Sequence, residues 1–166
     1  MANMIPISTV TVGSGGISAV EFTNIPQNYT DLFVKFSFRG SVASGTIYIE
    51  FNGSSSNLSS RQLLGSGSSA ASNNFSDIRT WGGQAQSAYT SNTFSNVDLY
   101  IPNYNSSNYK SVSLDGVNEN NATEAYSSLM AGLWSNTSPI TSIKLFQSGS
   151  TLQQYSSATL YGIRKY

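Results

Sequence analysis

The chain contains no histidine and no cysteine, and only 4 of its 166 residues are proline. Without cysteine there is no disulfide framework, thiol nucleophile, redox pair or thiolate metal site. Without histidine there is no Ser-His-Asp triad, no Cys-His pair and no imidazole ligand. Charge is scarce as well: Asp, Glu, Lys and Arg make up 10% of the chain, and 8 basic residues balance 8 acidic ones. A neutral chain lacks the basic surface that phosphate-driven nucleic-acid binding needs. No segment reaches the ~18 apolar residues of a membrane-spanning helix, so no membrane partner is expected. The opening Met1-Ala-Asn-Met-Ile-Pro-Ile has neither the basic nor the apolar region of a secretory signal, and synthesis in the cytoplasm is expected.

What remains is hydroxyl and amide chemistry. Ser, Thr, Asn and Gln supply 68 residues. Near-zero net charge leaves little repulsion between copies. The composition therefore fits either a permanently assembled protein or a globular domain that meets water through uncharged polar groups. Seven Asn-X-Ser/Thr sites, at Asn28, Asn52, Asn57, Asn74, Asn105, Asn121 and Asn136, follow from that composition and are not read as modification sites. A single domain of this length buries roughly two thirds of the surface that its unfolded chain exposes, which is enough for a core without staples.

Periodicity points to β structure throughout. In residues 31–39, Leu32, Val34, Phe36 and Phe38 alternate with Phe33, Lys35, Ser37 and Arg39, the signature of a half-buried strand. Ile47, Ile49 and Phe51 repeat the pattern, as do Val97, Leu99 and Ile101, closed by Pro102. Further strands are expected around Val112 and Leu114, Leu129 and Leu133, Ile143 and Leu145, and over 156–165. The beginning adds 5–12 and 17–23, joined by the Gly13-Ser-Gly-Gly16 turn. The best helical candidate is 121–130, but 126–134 alternates well enough to be a strand. The expected fold is an all-β, single-domain antiparallel sandwich of 8–10 strands over 1–166, jelly-roll-like; an immunoglobulin-like sandwich lacks its Cys-Trp-Cys marks. Residues 53–74 and 82–92, rich in Ser, Gly and Asn, read as long polar loops, and 1–7 as either an N-terminal arm or the first strand.

Site chemistry is sparse. Asp115, Glu119 and Glu124 lie close together among asparagines, a set able to hold calcium or simply to form a turn. No spacing singles out a catalytic carboxylate pair. Gly65-Ser-Gly67 is no phosphate loop, because no Gly-Lys-Ser/Thr follows. No catalytic residue, metal or cofactor is expected. The candidate contact residues are instead apolar and aromatic: Ile5, Pro6 and Ile7 near the N-terminus, and Trp81, Tyr89, Tyr100, Tyr104 and Tyr109 at strand ends or in loops. Aromatic residues in such places bury large area at low rotamer cost, against a partner protein or a sugar ring, or merely cap the sandwich.

Several segments carry a resemblance. They are Thr9-Val-Thr-Val-Gly-Ser-Gly-Gly-Ile17 with Phe22-Thr-Asn-Ile-Pro-Gln-Asn-Tyr-Thr-Asp-Leu32, and Val97-Asp-Leu-Tyr-Ile-Pro-Asn-Tyr104. To these add Val117-Asn-Glu-Asn-Asn-Ala-Thr-Glu-Ala-Tyr126, Ala131-Gly-Leu-Trp-Ser-Asn136, Ile140-Thr-Ser-Ile-Lys144 and Tyr155-Ser-Ser-Ala-Thr-Leu-Tyr-Gly-Ile163. Together they resemble small jelly-roll virion proteins of tailed bacteriophages: capsid decoration, or cement, proteins, with related modules on tail fibres. The resemblance spans most of the chain outside 53–92. It implies a structural protein of the virion, often a homotrimer, bound to the major capsid protein on the outer surface of the head. It carries over no catalytic residue. The alternative it leaves open is a tail-fibre or receptor-binding module that recognises a host surface glycan through Trp81, Tyr89 and Tyr104.

Overall fold

The computed structural model describes residues 3–81, 85–121 and 125–164. Its strands follow the alternation read above. In β3 (Asp31–Ser37), Leu32, Val34 and Phe36 face inward and are at most 1% exposed. In β4 (Ile47–Phe51) the same holds for Ile47, Ile49 and Phe51, and in β8 (Asn96–Pro102) for Val97, Leu99 and Ile101. Each such side chain contributes about 1.5–3 kcal/mol by leaving water. The other strands are β1 (Asn3–Thr11), β2 (Ala19–Phe22), β5 (Leu58–Gly65), β6 (Ala70–Phe75) and β7 (Ile78–Arg79). They are followed by β9 (Lys110–Asn118), β10 (Tyr126–Trp134), β11 (Ile143–Gln147) and β12 (Ser157–Arg164).

The strands form an all-β sandwich of unequal sheets with antiparallel strand pairing. The large sheet runs β1-β12-β3-β8-β9-β10-β5-β6, and the small one β2-β11-β4-β7. Eight strands pair in a nested way: β1 with β12, β2 with β11, β3 with β8, and β4 with β7. The remaining four enter the chain as two excursions, β5–β6 and β9–β10. They meet through the β10–β5 pairing and widen the large sheet beyond β8. Aromatic residues join the layers: Trp134 of β10 lies 5.6 Å from Phe51 of β4, centroid to centroid. Gly132 lets Ile78 and Val112 approach the β10 backbone more closely than a side chain there would allow.

One expectation is corrected and two open alternatives are resolved. Residues 53–74 are not one long loop, since they contain β5 and most of β6. Their strand signal is concealed because β5 buries the polar residues Ser60 and Gln62 beside Leu58. Ser60 Oγ donates to the Asp77 carbonyl at 2.7 Å, and Gln62 Nε2 donates to the Trp81 carbonyl at 2.6 Å and to Ser128 Oγ at 2.7 Å. Hydrogen bonding, not hydropathy, makes that burial tolerable. Residues 3–7 are not a free arm: they begin β1, in register with β12 from Asn3↔Arg164 onward, with an irregularity between Pro6 and Ser8. In β10 the inward row is Ser128, Met130, Gly132 and Trp134, so Leu129 points outward. The helical candidate 121–130 contributes its last residues to β10; 122–124, including Glu124, lie outside the described residues.

Of the second polar span, 82–84 also lie outside the described residues, and 85–92 carry no strand. This loop is folded around a cation. Arg39, 7% exposed, donates through Nη1 to the carbonyls of Thr90 and Thr93 and to Thr93 Oγ1, and through Nη2 to the carbonyls of Ser87 and Tyr89, at 3.0–3.2 Å.

Candidate functional site

The excursions give the large sheet an outer face with an unusual centre. Across β9, β10 and β5, Asp115, Leu129 and Leu63 stand in one cross-strand row, and the next row holds Val117, Ser127 and Gly65. Leu63 is 62% exposed, Leu129 56% and Val117 47%. Directly opposed side chains on one face lie about 4.5–5.5 Å apart at Cβ, so Leu63 and Leu129 make one continuous apolar spot, flanked diagonally by Val117. Charge sits at its margins. Asp115 follows Asp98 in the same row, Lys35 bridges to Asp98 at 2.9 Å, and Arg61 occupies the neighbouring row.

The inner side of the same extension holds an aromatic cleft. Because residues alternate along the strands, Leu64 and Tyr126 face away from Leu63 and Ser127. With Trp81, Tyr89, Gln86 and the 43–44 turn they line a cleft of about 340 Å³. Trp81 is 44% exposed and meets Phe75 edge-on at 5.8 Å. Phe75 in turn carries the Arg79 guanidinium 4.5 Å from its ring centre. Arg79 also forms a fork with the Asp77 carboxylate, and that hydrogen bond raises its already high pKa despite partial burial. The wall behind Trp81 is thus built from a stacked cation, a carboxylate and a ring, which is a rigid arrangement.

The candidate contact residues divide between surface and interior. Trp81 and Tyr89 are brought together in the cleft. Tyr109 is 60% exposed on the approach to β9. Tyr104 is not a contact residue: it is fully buried and its hydroxyl donates to the Pro26 carbonyl. Burial pushes its phenol above the ordinary 10.0. Tyr100 is half-buried, with its hydroxyl donated to Asp31. Ile7 packs on the core, Ile5 is half-buried and Pro6 is exposed on the edge strand β1. Glu119 Oε1 accepts the Asn121 amide at 2.7 Å, which closes a turn, while Asp115 stands apart on the sheet face.

Leu63, Leu129, Val117 and Tyr126 were not visible as surface residues in the sequence. A β strand reveals its outward row only once its phase is known, and Gly132 and Ser128 blur the phase of β10. Near the far end of β10, Lys110 is 1% exposed and donates Nζ to the carbonyls of Ser106, Asn136 and Ser138 at 2.6–3.2 Å. Burial lowers its pKa from 10.5, and the three carbonyls answer its charge. Among the described residues, no group of three or more His, Cys, Asp or Glu side chains is placed to hold a metal ion. No protein-family model, no curated protein and no solved structure matches this chain.

Proposed function

We propose that this chain is a capsid decoration protein of a tailed bacteriophage, a structural protein without enzymatic activity that docks on the outer surface of the head and braces the major capsid protein lattice. The observation that carries the reading is the apolar spot of Leu63, Leu129 and Val117. It stands on the strands added to the nested eight, and not on the framework. First-with-last nested pairing over two sheets supports a jelly-roll framework, because winding a long hairpin into a sandwich produces such pairing. Strands added to such a framework gain nothing from exposing two leucines unless another surface covers them. Zero net charge fits copies that sit side by side, and a closed homotrimer hides contact area that one copy leaves open. Weak contacts from three copies add through effective concentration.

The test is reconstitution. Purified protein added to undecorated heads is expected to bind at fixed stoichiometry and to raise their melting temperature. The Leu63→Thr/Leu129→Lys double variant, which sets the new cation opposite Asp115, is expected to fold normally and lose that binding. Wild-type protein that neither binds nor stabilises the heads ends this reading.

A second reading, a receptor-binding module that recognises a host surface glycan, is favoured by one observation: Trp81, Tyr89 and Tyr126 converge on a cleft that also presents Gln86 and Ser44. Aromatic faces with neighbouring amide and hydroxyl groups match the two sides of a sugar ring. Glycan-array binding abolished by Trp81→Ala supports it, and an array with no hits ends it.

A further inference from the structure

Tyr155 holds a backbone conformation that its side chain disfavours. Among the described residues, six asparagines and four glycines take positive φ, and Tyr155, at 71°, is the one other residue that does. Asn and Gly tolerate the left-handed region, whereas a bulky aromatic residue there is an outlier. The surrounding backbone fixes it. Tyr155 N–H donates to the Val12 carbonyl at 3.0 Å, and Ser156 N–H donates to the Gln153 carbonyl at 3.1 Å. Ser156, fully buried, accepts the Arg39 amide on its Oγ at 3.0 Å. Packing within the chain does not explain the choice, because Tyr155 is 71% exposed, more than any other large apolar or aromatic side chain described. An asparagine at 155 would make the same turn without strain. Strain of this kind, on a side chain left exposed, clusters at ligand sites.

The surroundings say what kind of molecule the ring faces. Tyr155 and Phe94 border an open cleft of about 380 Å³ whose polar lining comes from Ser14, Asn92, Thr151, Gln153 and Gln154. Among the described residues, no carboxylate lines it. Arg39 also borders the cleft, but its terminal N–H groups are committed to the 87–93 loop carbonyls, so that among the described residues no free guanidinium fork is offered to an acidic ligand. Hydroxyls and amides offer donors and acceptors together, as a polyol requires. A flat exposed ring beside them gives a face for stacking.

We infer that this cleft binds a neutral pyranose sugar, with Tyr155 as the stacking platform and the amides of Asn92, Gln153 and Gln154 as hydroxyl partners. The site is separate from the Trp81 cleft, and its ligand class is chosen by its own lining. It needs neither reading of the preceding section.

The test uses the full chain, isotopically labelled, titrated by NMR with methyl glycosides of neutral hexoses and with neutral trisaccharides. Sialyllactose and glucuronic acid serve as charged controls. At least one neutral saccharide is expected to give saturable shifts at the amides of Gly15, Gly16, Gln154 and Tyr155, with the charged controls weaker. Tyr155→Asn is expected to lower that affinity roughly tenfold or more, and to melt at the same temperature as the parent or higher, because the strain is relieved. The proposal is overturned if no neutral saccharide shifts these amides at millimolar concentration. It also fails if the charged controls bind equally well, or if Tyr155→Asn binds as the parent does. Shifts confined to the Trp81 cleft and lost in Trp81→Ala leave the glycan reading standing and remove this site.

Discussion

The hydroxyl of Tyr100 donates to Asp31 Oδ2 at 2.8 Å, and the amide of Asn103 donates to Oδ1 of the same carboxylate at 3.0 Å. Asp31 is fully buried, at the start of β3 and opposite Pro102, which has no N–H to offer the ladder. Tyr100 therefore serves the fold, by holding a buried charge. Tyr100→Phe removes a donor from that carboxylate and is expected to cost about 1.5–3 kcal/mol, read from urea unfolding midpoints. Docking on heads, measured on folded protein, is expected to stay unchanged.

Gly162 of β12 lies beneath the ring of Tyr29, so that a Cβ there would collide with the ring carbons. The Arg164 guanidinium covers the same ring, 5.2 Å from its centre. Gly162→Ala is expected to destabilise by about 1–3 kcal/mol through overpacking. Combining it with Tyr29→Ala is expected to cost less than the two changes separately, because the first clash disappears with the ring. Denaturation of the four proteins in the cycle checks both statements.

Two buried groups shape the alkaline limb of stability with opposite signs. Tyr104 has its folded pKa raised above 10.0, so above that pH the unfolded chain ionises first and stability falls as pH rises. Lys110 has its folded pKa lowered from 10.5, so just below that pH the unfolded chain keeps a proton that the folded chain has released, and stability rises with pH. Tyr104→Phe is expected to flatten the fall above pH 10, after a baseline loss of about 1 kcal/mol for the hydrogen bond to Pro26. Lys110→Met is expected to remove the rise. Unfolding midpoints measured across the alkaline range in each variant separate the two.

Arg39→Met is expected to release the loop around 87–93 and not the sandwich. Proteolysis within that loop should accelerate strongly, while the far-ultraviolet β signature persists. Most of the bonds from the Arg39 guanidinium go to main-chain carbonyls, with Thr93 Oγ1 the one side-chain partner among them. The side chains of Ser87 and Thr90 are consequently not needed for these bonds, and Ser87→Ala or Thr90→Ala should leave proteolysis rates at the parental level.

The framework was legible wherever burial and hydropathy coincide. Leu32, Val34 and Phe36, or Ile47, Ile49 and Phe51, announce both strand and inward face. The sheet extension was not, because β5 buries Ser60 and Gln62, and exposed β6 reads Ala-Ala-Ser-Asn-Asn-Phe with no apolar alternation. The cleft was half legible: Trp81 and Tyr89 stand out in a polar stretch, but Tyr126 joins them only through strand pairing. Tyr104 shows the converse error, since an aromatic after a Pro-Asn turn looks exposed until Pro26 arrives from 78 residues away to take its hydrogen bond. Tyr155 carries no sequence signal at all, because its peculiarity is a dihedral angle.

The position of β12 has a consequence in time. It lies between β1 and β3, the first and third described strands in chain order, and hydrogen-bonds to both. Those two strands cannot complete their ladders until the last described strand has been synthesised and inserted between them. Closure of this sheet therefore waits for β12, and is not a progression along the chain. Closures of such long sequence separation are slow. Until that insertion, β1 and β3 each keep an unpaired edge, so a chain cut short before Ser157 would be left open to pairing with its neighbours.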